Sequence, residues 1–294
     1  MSTLTYLQFH LVFLGGPLLA LAAAVARGVS LRVGPPAVAP RVRLSGRSVD
    51  ARVVGTLLLT ALAVVYTTPW DSYLVRRGAW FYGEGAVAAR FLAVPLGEYL
   101  FFVVQPVLTA LWLSLLPAGP PRQVRADGGE TSGRATSAPP DGGGPPRSDG
   151  GTAVGRERGR GGVTLGQRAL GAGAGGLVAL CGWLVLGVDG GLYLGTLLLW
   201  AAPVLAIQWA FGWPYLLWRG RVVALGVAVP TLYLWVADRV ALALGVWELS
   251  PDLTTGYAVP LLDLPVEEAV FFLLTNLFVV QGLVLWLWVA DRWL

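Results

Sequence analysis

Seven long apolar runs constrain this chain more than any other feature: roughly 4–26, 49–69, 95–116, 168–188, 192–217, 222–244 and 265–290. Each is long enough for a helix of about 20 residues to cross the hydrocarbon core of a bilayer. With 55% hydrophobic residues among 294 and a positive mean hydropathy, the chain is too apolar for an ordinary soluble protein. The expected fold is all-α, a polytopic membrane protein with seven transmembrane helices. The first run lacks the basic start of a signal peptide, and further spans follow it.

Charge predicts an orientation. All 21 basic residues are arginine. Arg27, Arg32, Arg41, Arg43, Arg47 and Arg52 fall in the first connection, eight more run from Arg122 to Arg168, and Arg219, Arg221 and Arg292 follow. Only Arg76, Arg77, Arg90 and Arg239 fall on the opposite side. The positive-inside rule therefore puts the N-terminus outside a cell membrane, with the C-terminus and the third connection in the cytoplasm. The net charge of +4 follows from this arrangement and carries no nucleic-acid footprint. Cys181 stands alone in an apolar run and reads as a small packing residue, so no disulfide or thiolate metal site is expected. His10 is the only histidine; it reads as a hydrogen-bonded residue of span one, and no metal site is expected.

Residues 117–167 are dominated by Gly, Pro, Ser and Arg and cannot bury enough apolar surface to offset their ordering entropy. They are predicted to be a disordered cytoplasmic linker. On either side of it the chain repeats itself. YTTPWDSYLVRRGAW and YLWVADRVALALGVW pair Tyr66 with Tyr233, Asp71 with Asp238, Gly78 with Gly245 and Trp80 with Trp247. PLGEYLFF and PVEEAVFF pair Pro95 with Pro265, Glu98 with Glu268, and Phe101 and Phe102 with Phe271 and Phe272. A weaker echo links GGPLLA at 15–20 to AAPVLA at 201–206. The expected organisation is a first repeat at 1–116 (spans one to three), the linker, a connecting helix at 168–189, and a second repeat at 190–294 (spans five to seven). One odd helix between them leaves the two three-helix repeats parallel, and repeat interfaces are where membrane proteins often place their sites.

Ionisable groups within spans are costly, and so are candidates for function. At helical spacing, Glu98, Phe101, Phe102 and Gln105 share one stripe, and Glu268, Phe271, Phe272 and Thr275 share its counterpart. A carboxyl beside phenyl rings in an apolar pocket can stay protonated near neutrality, then give up a proton and take one back. The ring faces can stabilise a carbocation. Pro95 and Pro265 suit the first turn of a helix. The plainer alternative has both glutamates favouring the helix dipole at a watery interface, but two copies at one offset from Pro and Phe-Phe argue for chemistry. Asp71 and Asp238 stand at the outer ends of spans two and six, as acid–base candidates, as structural caps or in an interfacial role. Glu267 has Gly97 in the matching place, and reads as an auxiliary acid or a solvated one. The substrate-contacting candidates are Phe101, Phe102, Phe271, Phe272, Tyr66, Tyr233, Trp80, Trp247, Gln105, Thr275 and Asn276.

GAGAGG at 171–176 fits a dinucleotide fingerprint on paper, with Asp189 near the acidic position. It lacks the preceding strand that motif requires, and close helix packing through small residues explains it better. Most of the 13 tryptophans, Trp70 and Trp213 among them, read as interfacial anchors.

On PLGEYLFFVVQ at 95–105, PVEEAVFFLLTN at 265–276, the two Asp-x6-Gly-x-Trp elements and the N-terminal YLQFHLVF, the chain resembles the heterodimer-type lycopene β-cyclases. The form it resembles has both subunits fused in one polypeptide. The resemblance covers nearly everything outside the linker. The family favours two acids in each block, and Gly97 departs from that. What the resemblance implies is a redox-neutral isomerisation in carotenoid biosynthesis, with no cofactor. A carboxyl protonates the terminal double bond of an acyclic end of lycopene, the resulting cation closes a six-membered ring, and loss of a ring proton gives the β-ionone end. Monocyclic γ-carotene forms first and β-carotene second. The implied partners are a carotenoid dissolved in the bilayer, membrane lipids, and other enzymes of the same pathway. A retinal protein would need a lysine, and a membrane prenyltransferase would need DDxxD; both are missing. A carotenoid end-group hydratase, or a proton-coupled transporter using Glu98 and Glu268, are the alternatives.

Overall fold

Seven helices are long and apolar enough to cross a membrane in the computed structural model, which describes residues 5–31, 33, 40–44, 46–83, 87, 89–117 and 163–294. They are α1 (Tyr6–Ala26), α2 (Ala51–Arg77), α3 (Leu96–Ser114), α4 (Leu165–Val185), α5 (Leu192–Trp218), α6 (Gly220–Ala243) and α7 (Val266–Trp293). The expected linker lies mostly at 118–162, outside the described residues. The described helices on both sides of it form one compact unit.

Local chemistry sets the helix ends. The Thr5 and Thr164 side chains open α1 and α4 with capping boxes that use Gln8 and Gln167, so the fourth helix starts three residues before the expected 168. The Asp50 carboxylate accepts from the Arg52 N–H at 2.8 Å to open α2. The helix then runs past the expected limit at residue 69 to Arg77, and Gly78 closes it at φ 73°, a left-handed conformation glycine adopts at little cost. That extension brings Asp71 inside the helix.

Short antiparallel pairs fill the connections. In the first, β1 (Arg41–Leu44) pairs with β2 (Arg47–Asp50). β3 (Trp80–Tyr82) pairs with β6 (Trp247–Leu249), setting Tyr82 opposite Trp247. β4 (Arg90–Phe91) pairs with β5 (Val94–Pro95), and β7 (Ala258–Val259) with β8 (Leu264–Pro265). The last two turns hold Leu92, Ala93, Leu261 and Asp263 at positive φ, a strain on the order of 1 to 3 kcal/mol for each. Side chains hold both turns in place. The Ser72 hydroxyl donates to the Leu92 carbonyl at 2.6 Å, and Arg239 donates to the Leu262 carbonyl at 2.9 Å and pairs with Asp263 at 3.3 Å. Each turn delivers a proline, Pro95 or Pro265, as the residue that opens the following helix.

α7 is the central helix and packs on α2, α3, α5 and α6. Large apolar side chains such as Leu57, Leu62, Leu177 and Ile207 remain exposed on the outside, the surface expected of a protein solvated by lipid. α4 packs against α5. A Cβ added at Gly171 or Gly175 would come 2.5 Å from the Trp209 backbone or 2.4 Å from Ala206, so the GAGAGG run is a helix-packing face, as expected. Cys181, expected to pack, is instead exposed on α4.

Beneath the site described next, Asn276 of α7 ties three helices together. Its Oδ1 accepts from Gln105 at 2.9 Å and Thr109 at 2.6 Å, both on α3, and its Nδ2 donates to Thr231 of α6 at 3.1 Å. Interhelical hydrogen bonds in membranes contribute about 0.6 kcal/mol each on average. Asn276→Leu is therefore expected to cost on the order of 2 kcal/mol, read as a lower thermal midpoint of the detergent-extracted protein.

Candidate active site

Glu98 and Glu268 sit in the first turns of α3 and α7, each three residues after its proline. The fold brings both to one narrow cavity, together with Asp71 of α2 and Asp238 of α6. Phe101, Phe102, Phe271, Phe272, Trp80 and Trp247 complete the walls expected from the sequence.

Each glutamate receives a phenol. The Tyr82 hydroxyl donates to Glu98 Oε1 at 3.0 Å, and itself accepts from the Trp80 indole at 2.6 Å. The Tyr193 hydroxyl, from the first turn of α5, donates to Glu268 Oε1 at 3.0 Å. Burial, reinforced by Glu98, pushes the Tyr82 phenol far above its ordinary pKa, so it stays a proton-bearing donor at neutral pH. The strand pair β3–β6 brings Tyr82 within reach of Glu98.

Asp71 and Asp238 are both buried, at 2% exposure. One oxygen of Asp71 has no hydrogen-bond partner among the described residues, and Asp238 faces the Trp247 indole. Neither caps a helix, because α2 runs on to Arg77 and α6 to Ala243; the capping alternative does not hold. Both aspartates line the same cavity as Glu98 and Glu268. Carboxyls in an apolar interior are costly to keep. Among the described residues no three His, Cys, Asp or Glu side chains converge as a metal-holding group.

The rings form a continuous apolar wall. Phe101 lies 6.0 Å from Phe271 and 5.8 Å from Phe272 between centroids. Trp70 stacks on Trp200 at 4.9 Å and on Phe271 at 6.0 Å.

Other candidates lie elsewhere. Glu267 is fully buried and outside the cavity; it accepts from the N–H and the hydroxyl of Thr255, both at 2.7 Å. It is therefore not a solvated acid: it holds the segment leading to β7. At the matching place in the first half, a Cβ on Gly97 would lie 1.9 Å from the Tyr6 ring, so Tyr6 fills the space a side chain would need. Tyr233 donates to the Phe13 carbonyl, joining α6 to α1 away from the cavity. Tyr66, Gln105 and Thr275 line a separate groove below it, and Asn276 is enclosed in the network already described.

The cavity also contains residues that sequence reasoning did not assign to it: Tyr6, Phe9, His10, Trp70 and Tyr193. Tyr6 and His10 share a helix face, and the His10 Nδ1 contacts the Tyr6 carbonyl at 2.8 Å, a spacing legible in the N-terminal run. Trp70, read as an interfacial anchor, adjoins Asp71 and also walls the site. Tyr193 offers no sequence signal, since its partner lies 75 positions away.

No protein-family model matches the chain, and no solved structure matches it significantly. Curated relatives do. A lycopene beta-cyclase of Halobacterium salinarum is 44% identical over 267 residues, covering 90% of this chain and 96% of its own. A bifunctional lycopene cyclase/phytoene synthase of Phaeosphaeria nodorum is 35% identical over 77% of this chain but only 34% of its own length. A second, from Leptosphaeria maculans, is 33% identical over 84% of this chain and 38% of its own. At 44% identity to the archaeal protein over nearly the full length of both, the chain belongs to the lycopene β-cyclase family.

Proposed function

We propose that this protein is an isomerase that closes the acyclic ends of lycopene into β-ionone rings. The observation that carries the reading is the single cavity in which Glu98 and Glu268, each held by a phenol, face a wall of phenyl and indole rings. One glutamic acid delivers its proton to the terminal carbon–carbon double bond, leaving a tertiary cation. The neighbouring double bond attacks that cation and forms the six-membered ring. A ring proton then passes to a carboxylate, so atoms and electrons balance without a redox partner. Phe101, Phe271 and Phe272 face the developing positive charge with their quadrupoles. Asp71 and Asp238, buried in the same cavity, share and redistribute protons among the four acids. Glu267 acts as a positioning residue through Thr255.

Both glutamates occupy one cavity, so the two ends of the substrate are processed in turn. The monocyclic product is then expected to rise before the bicyclic one in a time course of extracted pigments. Two parallel three-helix repeats, 1–116 and 190–294, joined by the connecting helix, account for the matching Pro-x-x-Glu turns. The antiparallel pairing of β3 with β6 supports that organisation. The arginine distribution supports an outer position for the cavity and a cytoplasmic C-terminus. The substrate reaches the protein from the bilayer, and other enzymes of carotenoid synthesis are its expected neighbours.

Expression in a lycopene-accumulating bacterium tests the reading directly. Cyclic pigments should appear without any imposed ion gradient. Unchanged lycopene beside folded, membrane-inserted protein would reject it. Tyr193→Phe removes one hydrogen bond to Glu268 and is expected to lower conversion about tenfold, the effect of losing a charge-assisted bond worth about 1.5 kcal/mol.

A further inference from the structure

The cavity accounts for one end of a long polyene, and the rest of the molecule needs a path. Below the cavity, toward the middle of the bundle, a second hollow opens between α2 and α5, floored by α3 and α7. It shares Phe101, Phe102 and Phe271 with the cavity, so those three rings form the partition between the two spaces. Tyr66, Trp200, Pro203, Ile207, Thr275 and Phe278 line it, and no charged side chain does. From Trp200 to Gln208 it follows α5 for eight residue-to-residue steps, about 12 Å at the helical rise. Leu62 and Ile207 beside it are 53% and 70% exposed, so the groove faces the region that lipid occupies.

One contact bridges its upper edge. The Tyr66 hydroxyl of α2 donates to the Trp200 carbonyl of α5 at 2.7 Å, with the two rings stacked at 5.7 Å. On the far side of this contact lies a lipid-facing recess lined by Leu62, Val65, Pro69 and Leu199.

The geometry points to the α2–α5 groove as the channel that holds the polyene tail of the substrate, with the Tyr66–Trp200 bridge closing its upper edge. This rests on the cyclase reading given above. An uncharged, water-insoluble chain has no aqueous route to the acids, and this seam is apolar, faces lipid and adjoins the reaction cavity across the Phe101, Phe102 and Phe271 rings. A groove of about 12 Å spans less than half of the hydrocarbon core, so the far end of the substrate projects into lipid while the near end reacts.

The test uses thiol protection in membranes. In a Cys181→Ser background, Val204→Cys and Ala63→Cys place single thiols on opposite walls of the groove, on α5 and α2. Leu177→Cys places one on the lipid-facing side of α4, where Leu177 is exposed. Lycopene is expected to slow labelling by an apolar maleimide at least fivefold at positions 63 and 204, and to leave position 177 unchanged. Labelling at 204 should also stop conversion. Unprotected thiols at 63 and 204 in protein that still converts lycopene would overturn the channel while leaving the cyclase reading intact. Loss of conversion in both unlabelled groove variants, with the 177 variant active, would agree with it. Wild-type protein that converts no lycopene would remove the cyclase reading and the channel together.

Discussion

Glu268→Gln is expected to abolish ring closure, by a factor on the order of a hundred or more, while the variant inserts in membranes and extracts like wild type. Glutamine keeps the shape of glutamate, and its carbonyl can still accept from the Tyr193 phenol, which lies at 3.0 Å in the native site. The cavity should therefore survive, and only the transferable proton is lost. General acid–base catalysis commonly contributes about 10² to 10⁴ in rate, which sets the size of the effect. Glu98→Gln should behave alike, because Tyr82 holds that carboxyl in the same way. If both acids serve one turnover, the double variant should be hardly worse than the poorer single one, since groups acting as a unit are not additive. Glu267→Gln provides the contrast. Its side-chain oxygen can still accept from Thr255, and it lies outside the cavity, so conversion should fall no more than severalfold. Separating the pigments of cells expressing each variant reads all of these outcomes. Wild-type turnover by Glu268→Gln would show that this carboxyl carries no proton in the reaction.

Gly97→Glu is expected to damage the protein, although it would complete the two-acid pattern of the family in the first half. The added Cβ would lie 1.9 Å and 2.1 Å from carbons of the Tyr6 ring. Tyr6 is buried among His10, Tyr82 and Trp247, so it has little room to retreat. Overpacking of this kind typically costs about 1 to 3 kcal/mol, and here it displaces a wall of the cavity as well. Conversion should drop at least tenfold and the thermal midpoint of the extracted protein should fall. Higher conversion in this variant would mean that Tyr6 yields and that a second acid was missing. The two matched positions have different surroundings: α1 supplies a tyrosine beside Gly97, while Glu267 is turned to hold a connecting segment.

Much of the site was legible because its residues are local to two short blocks. The Pro-x-x-Glu turn and the following Phe-Phe recur at fixed spacing, and helical periodicity alone places acid and rings on one face. The partners that define the site come from elsewhere. Tyr82 reaches Glu98 because β3 pairs with a strand 167 positions later, and Tyr193 reaches Glu268 because α5 begins beside α7. Neither pairing leaves a periodic trace. Asn276 shows the opposite error: its neighbours in sequence placed it with the substrate, whereas three helices enclose it in a polar network. For Trp70 the interfacial rule gave no hint of its place in the cavity wall, because an aromatic near the end of a span satisfies that rule wherever its ring points.

The sequence by itself determined that seven apolar segments cross a bilayer, because hydrocarbon thickness and side-chain transfer free energy act on each segment separately. It also determined that the glutamates open helices next to phenyl rings, since a proline and a 3.6-residue period are local facts. Only the tertiary structure decided that four carboxyls line one cavity, that a tyrosine fills the space beside Gly97, and that an apolar groove adjoins that cavity on its lipid-facing side. Those features depend on which helix faces pack together, and packing arises from pairs of residues far apart in the chain.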